Sequence, residues 1–252
     1  MSRWQTAALY GLLSASGLIA GALAGLRLRI EHRTIAAVTA AGVGLLIAAA
    51  SLDLISGAVT VLAAYTAAMG ALIGATAFSL GNLALRRWEA HKRKGCGACV
   101  RQPSEADVPG SGLAIALGSL LDGVPEALII GAAAAGGSEA LPPFALIAAF
   151  GLGNFAEGMS SSAGMREAGR SRGYVLLVWI GATVVTVVAA LLGFALFSGG
   201  DIERGWLEAL AAGALIALTV ETMAPEAVFD HPAFVGLLAM LGFSAFLIAA
   251  AR

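Results

Sequence analysis

Charged residues are scarce in this chain of 252 residues, since Asp, Glu, Lys and Arg together make up 12% of it, against 59% hydrophobic residues. This balance excludes a soluble enzyme, because soluble domains average about 25% charged residues. Two cysteines, Cys96 and Cys99, are too few for the disulfide framework of a small secreted protein. The 33 glycines follow no Gly-X-Y period, which excludes collagen. They lie instead in alanine- and leucine-rich stretches, as in closely packed membrane helices.

Eight apolar runs follow one another along the chain, each near the roughly 20 residues that a helix needs to cross a bilayer. They are 6–26, 34–55, 58–85, 112–135, 141–165, 174–197, 206–229 and 232–250. We therefore expect an all-α integral membrane protein whose residues 1–252 form one domain of eight transmembrane helices. The boundary between the second and third runs, near Ser56-Gly57, is the weakest, because the apolar pattern hardly breaks there. The single long connection is the polar loop 86–111.

Lysine and arginine are distributed unevenly between the connections. Twelve of the 15 lie in the first, third and fifth loops, and the positive-inside rule assigns these loops to the cytoplasm. We therefore expect a multi-pass protein of the cell (inner) membrane, with both termini outside the cytoplasm and the loop 86–111 inside. A signal peptide cleaved after Ala22-Leu23-Ala24 is the alternative for the first run. Cleavage there would carry Arg27, Arg29 and Arg33 across the membrane, against the rule.

Acidic residues lie within the predicted spans without lysine or arginine to balance them. Each ionised carboxylate at the bilayer centre costs about 2.5–3.5 kcal/mol, so a metal cation or protons must offset the charge. We interpret Glu226, near the end of the seventh run, as an interfacial charge instead. The unbalanced acids are Asp53, Asp122, Glu126, Glu157 and Glu221.

A short motif occurs twice, in the fourth and fifth runs. Asp122-Gly123-Val124-Pro125-Glu126 aligns with Gly153-Asn154-Phe155-Ala156-Glu157 at an offset of 31 residues. Asp122 and Glu126 share one helical face, as do Asn154 and Glu157, so each helix offers a pair of oxygen ligands. Pro125 lacks a backbone N–H and can free one more carbonyl oxygen. The pattern predicts an oxygen-lined site between these two helices.

Other polar positions leave two interpretations open. Asp53 is either part of that site or an acid satisfied by an interhelical hydrogen bond, and the same choice applies to Glu221. The run Ser160-Ser161-Ser162 either packs as small residues or lines a polar path. A weaker repeat, 40–45 in the second run against 211–216 in the seventh, is typical of transporters with internal repeats.

These motifs resemble those of the ZIP (Zrt/Irt-like) family of divalent metal transporters, which has His-Asn-x-Pro-Glu-Gly-type sequences in its fourth and fifth spans. The stretch 211–226 is similar to the family's Ala-Gly-x-x-Leu…Glu…Pro-Glu pattern, and 41–54 is similar more loosely. The resemblance covers the whole predicted topology. It implies a ZIP-like bundle of eight spans with both termini outside the cytoplasm and a variable cytoplasmic loop between the third and fourth spans.

The resemblance also implies alternating-access import of divalent metal toward the cytoplasm, with zinc as the expected substrate. The implied ligands are Asp122, Glu126, Asn154 and Glu157, joined by Glu221 and Asp53. Asp122 stands where the family usually has histidine, which puts one position of an often binuclear site in doubt. Because every implied ligand is oxygen, Mn²⁺, Fe²⁺ or Cd²⁺ suits the set at least as well as Zn²⁺.

Three other functions are alternatives to metal transport. A proton-coupled carrier of organic cations would use the same acids, but only Phe155 lies near them for cation–π contact. A sensor could keep the fold without transporting. An intramembrane enzyme is disfavoured, because no predicted span contains the histidine that a hydrolytic metal site or a serine nucleophile would require. We therefore predict that the protein is not an enzyme.

The remaining expectations concern partners. His91, Cys96 and Cys99 in the cytoplasmic loop are too few for a structural zinc site, which takes four ligands, and would at most capture metal transiently. The basic residues are accounted for by topology, so nucleic acid is not an expected partner. The lipid bilayer and metal ions are, and a homodimer is compatible with the sequence.

Overall fold

The computed structural model describes residues 2–28, 31–87, 123–134, 144–196, 200–230 and 233–251. Within these ranges the chain forms helices and no strand. The ten α-helices are α1 (Arg3–Arg27), α2 (His32–Ala48), α3 (Ser56–Val61), α4 (Ala64–Arg87), α5 (Gly123–Ala134), α6 (Phe144–Glu167), α7 (Arg172–Leu196), α8 (Asp201–Leu218), α9 (Ala224–Asp230) and α10 (Val235–Ala250). Two π-helical segments, Ala49–Ile55 and Thr219–Met223, join α2 to α3 and α8 to α9.

Five of the described helical stretches are long and apolar enough to cross a membrane. The prediction of a membrane-embedded, all-helical protein is confirmed at that level. Helices α5 and α10 are shorter and apolar, and they occupy the places of the fourth and eighth predicted runs, while α6 occupies that of the fifth. The count of eight spans stays a prediction. The five stretches are Arg3–Arg27, Arg33–Val61, Ala64–Ala84, Arg172–Leu196 and Asp201–Val228.

The boundary predicted near Ser56-Gly57 is wrong. The helical path continues to Val61, and the turn comes at Leu62, whose backbone is extended at φ −108° and ψ 151°. The hydroxyl of Ser56 donates to the Leu52 carbonyl at 2.5 Å, a local bond that a continuing helix accommodates. Gly57 does not end the helix either. Its lack of a side chain provides space for a neighbouring helix.

Glycines set the closest contacts between helices. A Cβ atom added to Gly44 of α2 would lie 1.6 Å from the carbonyl oxygen of Ala239 in α10, and one added to Gly213 of α8 would lie 1.8 Å from that of Ala71 in α4. No side chain fits at such distances, so α2 packs on α10 and α4 on α8 backbone to backbone. The repeated stretches 40–45 and 211–216 both lie at these contacts or beside them. Each is followed within one helical turn by a π segment.

Helix α1 runs parallel to α6. Gly17 and Gly21 of α1 lie against the backbone of Gly151 and Phe155, so contacts advance by four residues along both helices. At the end of the pair, Nη1 of Arg166 donates to the Leu28 carbonyl at 2.9 Å. The first and fifth loops, both rich in arginine, therefore lie at the same end of the bundle.

Candidate cation-binding site

Glu126 is a buried carboxylate in α5, with 6% of its surface exposed. Its neighbours along the helix, Ala127 and Ile130, are fully buried, and Ile130 belongs to the same apolar core as Phe150 of α6. Helices α5 and α6 thus share a core. Asp122, the predicted partner of Glu126 one turn earlier, lies outside the described residues.

Asn154 and Glu157 occupy the middle of α6. The amide nitrogen of Asn154 donates to the Ser14 carbonyl of α1 at 3.0 Å, and the asparagine is 6% exposed. This bond fixes the side chain and directs its amide nitrogen toward α1, which leaves the side-chain oxygen as the atom able to contact a cation. Glu157, one turn further along, is half-buried. Within the described part of the chain it forms no hydrogen bond or ion pair.

Glu221 lies in the π segment Thr219–Met223 and faces α4. The hydroxyl of Ser79 donates to its Oε1 atom, and the amide nitrogen of Asn82 donates to its Oε2 atom at 3.0 Å. Both carboxylate oxygens therefore accept a hydrogen bond from one neighbouring helix. The sequence leaves open whether Glu221 is part of the oxygen-lined site or is satisfied by an interhelical hydrogen bond. These two bonds match the second interpretation.

Asp53 lies in the other π segment, Ala49–Ile55, with an exposed side chain. One turn after Asp53, Gly57 lies against Glu208, because a Cβ atom at Gly57 would come within 2.6 Å of the Oε2 atom of Glu208. Asp53 is thus near an acid that the sequence analysis did not single out.

Glu208 is compensated by an arginine on its own helix. The Nε atom of Arg204 lies 3.3 Å from Oε1 of Glu208, and their side chains are 28% and 17% exposed. The signal in the sequence was the spacing of four residues between an arginine and a glutamate at the start of the seventh run. We missed it because Arg204 lies just before that run and was assigned to a loop.

The interpretation of Glu226 as an interfacial charge is wrong. It is 3% exposed, and the hydroxyl of Ser160 in α6 donates to its Oε1 atom. The physical reason is that the seventh run is not one straight helix. The π segment Thr219–Met223 changes the helical phase before α9, and α9 packs against α2 with Glu226 on its inner side.

The predicted ligands are therefore distributed over several places. Among the described residues, no three side chains of His, Cys, Asp or Glu come together as a group that could hold a metal ion. Glu126, Asn154 and Glu157 lie on the two helices that share the repeated motif, whereas Glu221 contacts α4 and Asp53 lies near Glu208. His91, Cys96 and Cys99, which the sequence places in the predicted loop 86–111, lie outside the described ranges.

No family model matches the chain. No curated protein matches it either. The likeness to ZIP transporters thus rests on the motifs of the sequence and on the pattern of predicted spans.

Proposed function

We propose that this protein transports divalent metal cations across the membrane toward the cytoplasm, with Zn²⁺ as the expected substrate and Mn²⁺, Fe²⁺ or Cd²⁺ as alternatives. The observation that carries the proposal is the burial of Glu126, at 6% exposure, in a helix of an apolar bundle. An ionisable residue inside a membrane segment is rare and marks an ion pathway by default, and the duplicated motif gives Glu126 and Glu157 equivalent positions. A cation that binds and leaves in turn would explain why the acid is retained.

The proposed ligands are Glu126, Glu157 and the side-chain oxygen of Asn154, with Asp122 as a fourth. Three features support this set: the duplicated motif, the hydrogen bond that fixes Asn154 on α1, and the absence of a hydrogen-bonding partner for Glu157 in the described ranges. Carboxylate and amide oxygens suit Mn²⁺ and related ions, while two carboxylates neutralise a divalent charge. Protons would compete with the metal for these carboxylates, so affinity should fall in acid.

Movement of the ion requires the helices to rearrange around the site. The two π segments lie on the second and seventh predicted spans, which we propose flank the path, and such segments are frequent at functional sites. The pair α1 and α6, joined backbone to backbone through Gly17 and Gly21, would move as one block. Alternating exposure of the ligand set to the two sides would then release the ion toward the arginine-rich loops.

The test is metal uptake into proteoliposomes that contain the purified chain, with Zn²⁺, Mn²⁺, Fe²⁺ and Cd²⁺ measured in parallel. We expect saturable uptake of at least one of them, inhibited by the other metals and unaffected by organic amines. Inhibition by amines would favour the organic-cation carrier. No uptake of any metal by folded protein would contradict the proposal and favour a sensor that does not transport.

A further inference from the structure

Arginines are concentrated at one corner of the bundle, where α1 and α6 end and α7 begins. Leu26, Met165 and Val175 belong to one apolar cluster, which holds these three helix ends together. Directly after the cluster residue of α1, Arg27 ends that helix. The stretch 166–174, which joins α6 to α7, contains three more arginines and one acid, Glu167. We call the four basic residues the arginine corner: Arg27, Arg166, Arg170 and Arg172.

A tight turn keeps three of these arginines close together. Gly169 has a left-handed backbone with φ 79°, which a residue without a side chain adopts readily. The N–H of Arg170 donates to the Met165 carbonyl at 3.0 Å, a bond of the Schellman motif that ends a helix. The hydroxyl of Ser171 accepts from the N–H of Tyr174 at 3.2 Å and caps the start of α7. Only four residues therefore separate α6 from α7.

Arg166 is held in a fixed position by α1. Its Nη1 atom donates to the Leu28 carbonyl at 2.9 Å and, more weakly, to the Leu26 carbonyl at 3.5 Å. Both bonds use the same amino group. The opposite edge of the guanidinium, formed by Nη2 and Nε, has the spacing that binds two oxygens of a phosphate or carboxylate group. A side chain fixed in advance loses little conformational entropy when it binds such a group.

An apolar face of α7 begins beside the arginine corner. Leu177, Ile180 and Val184 recur at helical spacing and are 70%, 49% and 56% exposed. Gly173 and Gly181 lie on the same exposed face, and nothing lies within 4 Å of a Cβ atom added to either of them. In a membrane-embedded protein such a face is open to acyl chains. A ligand with a phosphate group at one end and hydrocarbon at the other matches both features, whereas free phosphate matches only the first.

We propose that the arginine corner binds the phosphate group of an anionic phospholipid, whose acyl chain lies along the exposed face of α7. Basic pockets between membrane helices bind such head groups. The excess of arginine favours a head group with a net negative charge over a zwitterionic one. The guanidinium carbon of Arg170 lies 5.8 Å from the centroid of the Tyr174 ring, and tyrosines are enriched at the head-group level of a bilayer. The proposal does not rest on metal transport.

The test uses the purified full chain in a neutral detergent. Bound lipid is counted by native mass spectrometry, and thermal unfolding is measured during titration with phosphatidylglycerol, phosphatidylcholine or inorganic phosphate. We expect retention of phosphatidylglycerol over phosphatidylcholine, and a melting temperature that rises most with phosphatidylglycerol. Arg172→Gln should weaken phosphatidylglycerol binding about fivefold, equivalent to about 1 kcal/mol for one arginine. The matched control is Arg3→Gln, which changes an exposed arginine at the other end of α1.

Two variants separate lipid binding from a structural role. Arg166→Gln also removes the bond to the Leu28 carbonyl, so it should melt lower even without lipid. Arg172 is exposed, so Arg172→Gln should melt like the parent protein until phosphatidylglycerol is added. Equal retention of the two lipids would overturn the assignment, and so would an equal loss of affinity in Arg3→Gln. If inorganic phosphate alone reproduced the whole rise in melting temperature, the corner would bind free phosphate and the lipid assignment would be wrong.

Discussion

The hydroxyl of Ser160 donates a hydrogen bond to the carboxylate of Glu226, and this bond joins α6 to α9. Five residues earlier, Glu221 accepts from α4 instead. Glu221 and Glu226 thus face different helices, because a π segment changes the helical phase between α8 and α9. The broken seventh segment is in contact with the second, third and fifth predicted spans.

The hydrogen bonds of Glu221 should be measurable as stability. Asn82→Ala removes the donor at 3.0 Å, and we expect a loss of about 1 kcal/mol, in the range found for hydrogen bonds between membrane helices. The measurement is the free energy of unfolding in detergent. A double-mutant cycle with Glu221→Gln should give a coupling energy, whereas strictly additive effects would show that the bond contributes nothing. Thr76→Ala, on an exposed position of the same helix, is the control.

Backbone contact between α4 and α8 should make Gly213 intolerant of any side chain. In Gly213→Ala the new methyl group would meet the Ala71 carbonyl at 1.8 Å, so the helices must separate, at a cost of about 1–3 kcal/mol or more. Gly181→Ala is the matched control, because nothing lies within 4 Å of an added Cβ there. Equal melting temperatures for the two variants would contradict the packing described for this helix pair.

Arg204 should stabilise Glu208 beside Gly57. Arg204→Gln removes the cation 3.3 Å from the Glu208 carboxylate and leaves an acid that is 17% exposed without compensation. Because both side chains retain some contact with solvent, we expect a loss of about 1 kcal/mol rather than the larger penalty of a fully buried pair. Thermal unfolding at neutral pH measures it. The double variant Arg204→Gln/Glu208→Gln should recover most of the loss.

The predicted orientation of the chain determines where its thiols can be reached. Cys96 and Cys99 belong to the predicted loop 86–111, which the positive-inside rule assigns to the cytoplasm. A membrane-impermeant maleimide should therefore label inside-out vesicles and leave intact spheroplasts unlabelled. The opposite pattern would reverse the topology, and with it the proposed direction of transport.

Hydropathy predicted the helices well where a run is bounded by polar residues. The sixth run, expected at 174–197, is α7 at Arg172–Leu196. Hydropathy predicted a wrong helix boundary at Gly57. A glycine in an apolar segment suggests the end of a helix, but Gly57 instead accommodates the Glu208 carboxylate of another helix. Contacts between helices that are distant in the sequence do not change the local composition, so only the structure shows them.

The predicted site shows the same limit. Glu126 and Asn154, two residues of the repeated motif, are buried. The burial of Glu226 could not be predicted, because a 3.6-residue period assumes an uninterrupted helix and the π segment changes that phase. Glu221 was grouped with the other acids by residue type, yet its two donors come from α4, which carries no part of the predicted motif.

The most direct measurement of the central proposal compares metal uptake by proteoliposomes that contain Glu126→Gln, Glu157→Gln or Glu203→Gln. Each change replaces a carboxylate with an amide of the same shape, and Glu203 is an exposed acid in the first turn of α8. We predict that the first two variants fold and lose nearly all saturable uptake, while Glu203→Gln transports like the parent protein. Uptake that is unchanged in both Glu126→Gln and Glu157→Gln would contradict the proposed site.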